Sequence, residues 1–158
     1  KDEDYEVEWV KNDATEQSKK YGFDISEWLK KHDEDLQQTA QKMMLVDENK
    51  LLAIKDAIEV VRWYSFFISA KIHRAFLKHE WDEEDEDDEY YMYDNNGSAK
   101  IALIAIDRSI AALSFMLDKI PQYEDDLLHF LATLSKIKKD VLAAFPNAMD
   151  FKRPGFDD

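Results

Sequence analysis

At 158 residues, with 45% apolar and 13% aromatic side chains, the chain is long enough to bury a core as one domain over 1–158 and too apolar to stay disordered. Three glycines, three prolines and no cysteine argue against a turn-rich β fold and exclude a disulfide framework, a thiolate metal site and a cysteine nucleophile. A net charge of −14 repels phosphate backbones and anionic lipid, and no apolar run reaches the roughly 18 residues of a spanning helix, so neither nucleic acid nor membrane is an expected partner.

Residues 1–13 are aromatic and acidic without a sustained period, and are expected as an extended arm carrying Tyr5 and Trp9. They show no apolar h-region, so no signal peptide is expected there, and the cysteine-free composition suits a reducing, cytoplasmic setting. Asp13-Ala-Thr-Glu16 has capping-box spacing and Gly22 is a C-terminal stop, which predicts a short helix over 14–21 and an N-terminal unit of 1–23. Asp24-Ile-Ser-Glu27 reads as a second cap. Ile25, Leu29, His32, Leu36, Thr39 or Ala40, and Met43 then recur at helical spacing and predict the first long helix, 25–45.

The second long helix is expected over 48–78, with Ile54, Ala57, Ile58, Val61, Ile68, Ile72, Ala75 and Phe76 toward the core. At 100° per residue Val60, Trp63, Phe67 and Ala70 fall on its far side, where a simple bundle helix would carry charge. Every residue of 80–89 except Trp81 is acidic, which supplies nine of the negative charges. With the aromatic run Tyr90–Tyr93 and Asp94-Asn-Asn-Gly97, this stretch predicts a long acidic loop over 80–97. Its spacing fails the calcium-loop template, since Met92 and Leu103 stand where acidic ligands belong.

Ser98 is a good N-cap for a third long helix over 99–120, with Ala102, Leu103, Ile106, Ile110, Leu113 and Leu117 inward and Ile101, Ala105, Ala112 and Phe115 on the reverse side. After Pro121 a fourth helix is expected over 122–145, its stripe being Leu127, Leu131, Leu134, Ile137 or Lys138, Val141 and Phe145. Pro146 ends it, and 147–158 reads as an extended tail. The whole predicts an all-α, antiparallel up-and-down four-helix bundle, with a short extra N-terminal helix and a long acidic loop between the second and third long helices.

No phosphate-binding glycine loop, nucleophile elbow, zinc-protease motif or dinucleotide fingerprint occurs, so no catalytic residue and no cofactor is expected. A ferritin-like di-iron site needs two Glu-x-x-His pairs. The chain offers Asp126-Leu-Leu-His129 and Glu59-Val-Val-Arg62, so no metal ligand set is assigned. A phosphotransfer-like histidine would be His73, beside Lys71 and Arg74 but with Phe76 and Leu77 where that motif needs lysine and glycine.

Two surfaces remain. Val60, Trp63, Phe67 and Ala70 with Ile101, Ala112 and Phe115 form a partner-binding face, implying a homodimer or a protein partner. Alternatively the N-terminal arm (Tyr5, Trp9) and the tail (Phe151, Phe156) cover that face within the chain. Glu59, Arg62, His73 and Asp107 form a candidate polar interhelical site for a small ligand, or an ion-pair network that sets helix register. The leading expectation is a non-enzymatic oligomerising or partner-binding module. The alternative is a small-ligand or metal-binding bundle.

Overall fold

The computed structural model describes the backbone of residues 2–44, 48–77 and 88–152, and the side chains of 8–42, 49, 52–77 and 95–152. Among these residues regular structure is entirely helical. The helices are α1 (Asp2–Met44), α2 (Glu48–Tyr64), α3 (Phe67–Ala75), α4 (Asp88–Lys119) and α5 (Glu124–Ala144), with 3-10 turns at Pro121–Tyr123 and Ala148–Asp150.

Helix α1 packs against α5 on one side and against α2 and α3 on the other, while α4 packs against α2, α3 and α5. Directions follow from residue pairs. Asp13 meets Lys136 and Asp35 meets Tyr123, so α1 and α5 are antiparallel. Arg62 faces Asp33 while Gly22 lies against Ser65, so α2 runs back along α1. Tyr64 meets Arg108 while Ile54 and Phe115 share a cluster, which opposes α2 and α4.

One core cluster draws on every helix, through residues such as Ile25, Val61, Ile72, Ile106, Leu113 and Leu134, all buried. These are the stripes the periodicity predicts. Phe130 and Met116 join them although their spacing did not mark them.

The chain departs from expectation at four places. The expected extended arm, short helix and first long helix are one helix, α1. Neither Asp13 nor Asp24 caps a start, and Asp13 pairs with Lys136 of α5. Gly22 is helical and sits where α1 lies close against the Ser65–Phe66 turn. A Cβ there would lie 2.7 Å from the Ser65 carbonyl oxygen, so the glycine serves close approach and not termination.

The expected second long helix breaks at Ser65–Phe66. The Ser65 hydroxyl and backbone N–H both donate to the Arg62 carbonyl, at 2.8 and 3.3 Å, which tightens the turn and takes that acceptor from the α-helical ladder. The third correction concerns the acidic segment. Residues 80–87 lie outside the described residues, as does the side chain of Trp81 with those of Tyr90–Tyr93, but Asp88–Gly97 are already part of α4 and not loop. Finally, the expected tail is anchored at its start. Phe151 packs on Gly97, and the Lys100 ammonium donates to the Phe151 carbonyl at 2.6 Å. Phe156 lies outside the described residues.

Candidate functional site

Helices α2 and α4 meet along a face of small residues, Ala53 and Ala57 on one wall and Ala111 and Ala112 on the other. Alanines let the helix surfaces recede, and the result is an open groove of about 610 Å³. Val60 and Phe115 form its apolar floor and are half-buried against the core. Tyr64 stands at one end, its hydroxyl accepting from the Arg108 guanidinium at 2.8 Å, and Asp56 lies two turns earlier on α2.

Trp63 is 73% exposed, the most exposed large apolar side chain among the described residues. It projects about 60° round the helix from Val60, on the outer rim of the groove. The neighbouring turn carries exposed Phe66, set against Gly22, with exposed Phe23 next in α1.

The seven residues of the expected partner face therefore divide. Val60, Ala112 and Phe115 line the groove, whereas Trp63 is exposed, lies beside it by its helical angle and is not among its lining residues. Phe67 is half-buried, packed edge-on to Tyr64 with Lys71 over its ring, and Ala70 is exposed one turn further along α3. Ile101 is half-buried in the N-terminal half of α4 and does not line the groove.

The proposed intrachain cover does not reach this face with the residues described. Trp9 remains 57% exposed and lies beneath the Lys136 ammonium of α5, and Phe151 is engaged at Gly97. Tyr5 and Phe156 lie outside the described side chains.

The four-residue polar site is not assembled. Arg62 turns to α1, where it pairs with Glu59 of its own helix and approaches Asp33 at 3.8 Å. Asp107 faces the other side of α4 and pairs with Lys138 of α5 at 2.8 Å. His73 is exposed on α3. Helical periodicity put Arg62 and Asp107 on the margins of their core faces, but the margins face different neighbours. What Arg62 does border is a groove of about 330 Å³ between α1 and α2, shared with Asp33, Lys55 and Glu59. Its guanidinium is already countered by two carboxylates, which leaves little charge for an anionic ligand.

Two polar clusters had no clear signal in the sequence. Trp28, His32, Tyr123 and Phe130 stack between α1 and α5, with Trp28–Tyr123 centroids 5.3 Å apart. Trp28 Nε1–H donates to Asp126 at 2.9 Å, so Asp126 of the half-motif serves packing, and His129 tilts against Phe130. Tyr123 donates to Asp35. Burial first, then that carboxylate, push its phenol up to about 12.

Nearer the α1 N-terminus, Lys136 bridges Asp13 and Asp140. The lysine bond holds Asp13 below the usual carboxylate range, whereas burial holds Asp140 above it. In the core the Tyr21 and Ser109 hydroxyls are buried with no partner in hydrogen-bond geometry among the described residues, and burial raises the Tyr21 phenol strongly.

Among the described residues no three His, Asp or Glu side chains converge as a metal group, and no helix is long and apolar enough to cross a membrane. Set against protein-family models, curated proteins and solved structures, the chain matches none of them.

Proposed function

We propose that this chain is a non-enzymatic helical module, an up-and-down four-helix bundle of one domain, that associates through its α2–α4 face with a second copy or a protein partner. One observation carries the reading: an apolar groove bordered by a largely exposed tryptophan, which neither Trp9 nor Phe151 covers. Exposed indoles beside small-residue grooves are the kind of anchor that dominates association energies, because desolvating one large rigid ring gains much for little lost entropy.

The reading is tested by light scattering on wild type, Trp63→Glu and Ala111→Glu. Both substitutions are on exposed positions and leave the core intact. Association should be lost in both, with helicity unchanged. A complex of the same mass in all three proteins sinks the reading.

The competing reading, a small-ligand or metal-binding bundle, rests on the Arg62 groove between α1 and α2. Stoichiometric metal in an elemental analysis of the same samples would favour it, and so would loss of a bound small molecule on Arg62→Ala.

A further inference from the structure

The α2–α4 groove carries opposite charges at its two ends. Asp56 lies at the end shared with Phe115, and Arg108 at the end shared with Tyr64. Eight residues of α2 separate these levels, about 12 Å along the helix. Both side chains are exposed, and among the described residues Asp56 has no ion-pair partner.

A two-fold axis lying across the groove, at the level of Val60, reverses one copy along the other. It brings Asp56 of each copy level with Arg108 of the other, on opposite walls of the shared groove. The same operation sets Trp63, three residues beyond the axis, over the partner's Ala57, three residues before it. A large exposed ring then meets the recess left by Ala53 and Ala57. An axis parallel to the groove does neither: it leaves each charge opposite a wall without its counter-ion and Trp63 level with its own mate.

We infer that the occupant of the groove is a second copy of this chain, docked antiparallel about this axis, with two Asp56–Arg108 pairs and two Trp63 rings as reciprocal anchors. Isologous interfaces of this form use every contact twice. The inference rests on the association reading above and specifies its partner.

The test is sedimentation equilibrium on the full chain for Asp56→Arg, Arg108→Asp, the double charge swap and Trp63→Glu, with helicity checked for each. Each single reversal replaces two attractions by two repulsions and should weaken the dimer by about tenfold, and the double swap should restore it. Trp63→Glu should give monomer. A wild type that is monomeric at every concentration overturns the inference. A dimer indifferent to all three charge variants but lost in Trp63→Glu also overturns it, while the association face stands. A dimer indifferent to all four overturns both.

Discussion

Gly22→Ala separates two opposed effects in one methyl group. In an ordinary helix interior, alanine is more favourable than glycine by about 1 kcal/mol, because it restricts the unfolded chain and suits the helix. At Gly22 the added carbon would stand 2.7 Å from the Ser65 carbonyl oxygen and 3.1 Å from the Phe66 ring. The ring can rotate, but the carbonyl belongs to the backbone of the α2–α3 break and moves only with it. Overpacking of this kind costs about 1–3 kcal/mol, so a net loss of about 1 kcal/mol is expected, and Tm should fall by about 2–4 °C in a chain of this size.

Gly97→Ala is the control. Its nearest neighbour is the edge of the Phe151 ring at 3.1 Å, a side chain and not backbone, which can yield by a small rotation. That variant should gain about 0.5–1 kcal/mol from helix propensity. Urea unfolding followed by circular dichroism measures both. If Gly22→Ala stabilises as much as Gly97→Ala, the close approach of α1 to the Ser65 turn is wrong.

Tyr21→Phe removes a buried hydroxyl that has no hydrogen-bond partner among the described residues, so urea unfolding should show stability unchanged or raised by up to about 1 kcal/mol; a loss of that size would mean that Tyr21 and Ser109 are bonded. Trp28→Phe deletes the indole N–H bond to Asp126 and part of the stack between α1 and α5. It should cost about 1–2 kcal/mol in the same assay, and Asp126→Asn less, because an amide oxygen still accepts. Asp13 titrates lower in the folded chain than in the unfolded one. Its stabilisation is therefore present above the ordinary carboxylate pKa and lost as pH falls through the depressed folded value. Asp140 is shifted upward, so its ionisation opposes folding at neutral pH and its protonation relieves that penalty as pH falls. Asp13→Asn should thus lower stability at neutral pH and flatten its decline below pH 4, whereas Asp140→Asn should leave the acid decline steeper. Unfolding midpoints from pH 2 to 7 would refute this if both variants shift the profile alike.

Much of the core was legible because burial imposes a period. Ile54, Ala57, Val61, Ile68, Ile72 and Ala75 keep one helical phase from α2 into α3 and all are buried. That continuity is also why the break was hidden: Ser65 lies on the same stripe and is buried with it, so the apolar pattern crosses the break in phase. Capping signals misled in α1, since Asp13-Ala-Thr-Glu16 and Gly22 carry terminator chemistry in a helix that continues. Their true roles depend on Lys136 and Ser65, which are distant in sequence. Asp94-Asn-Asn-Gly97 likewise reads as a loop, but Gly97 inside α4 admits the Phe151 ring.

The α2–α4 groove was half visible. Far-side apolar residues on the expected second helix pointed to Trp63 and Val60, and those on the third to Ala112 and Phe115. Of the alanines that make the recess, Ala53 and Ala111 carried no distinct signal and Ala57 read only as a core position, because an alanine is read as a cavity wall only once the opposite helix is in place.

By itself the sequence determined the helical class, the C-terminal ends of the first, third and fourth long helices and most of the buried stripe, since these follow from local propensity and from the 3.6-residue period. The tertiary structure decided which margins of those stripes face each other. It placed Arg62 against α1 and Asp107 against α5, and it opened the groove between α2 and α4. The physical reason is that a helical wheel gives the angle of a side chain about its own axis, whereas a site needs the neighbouring helix that fills that angle, and only packing of the whole chain supplies it.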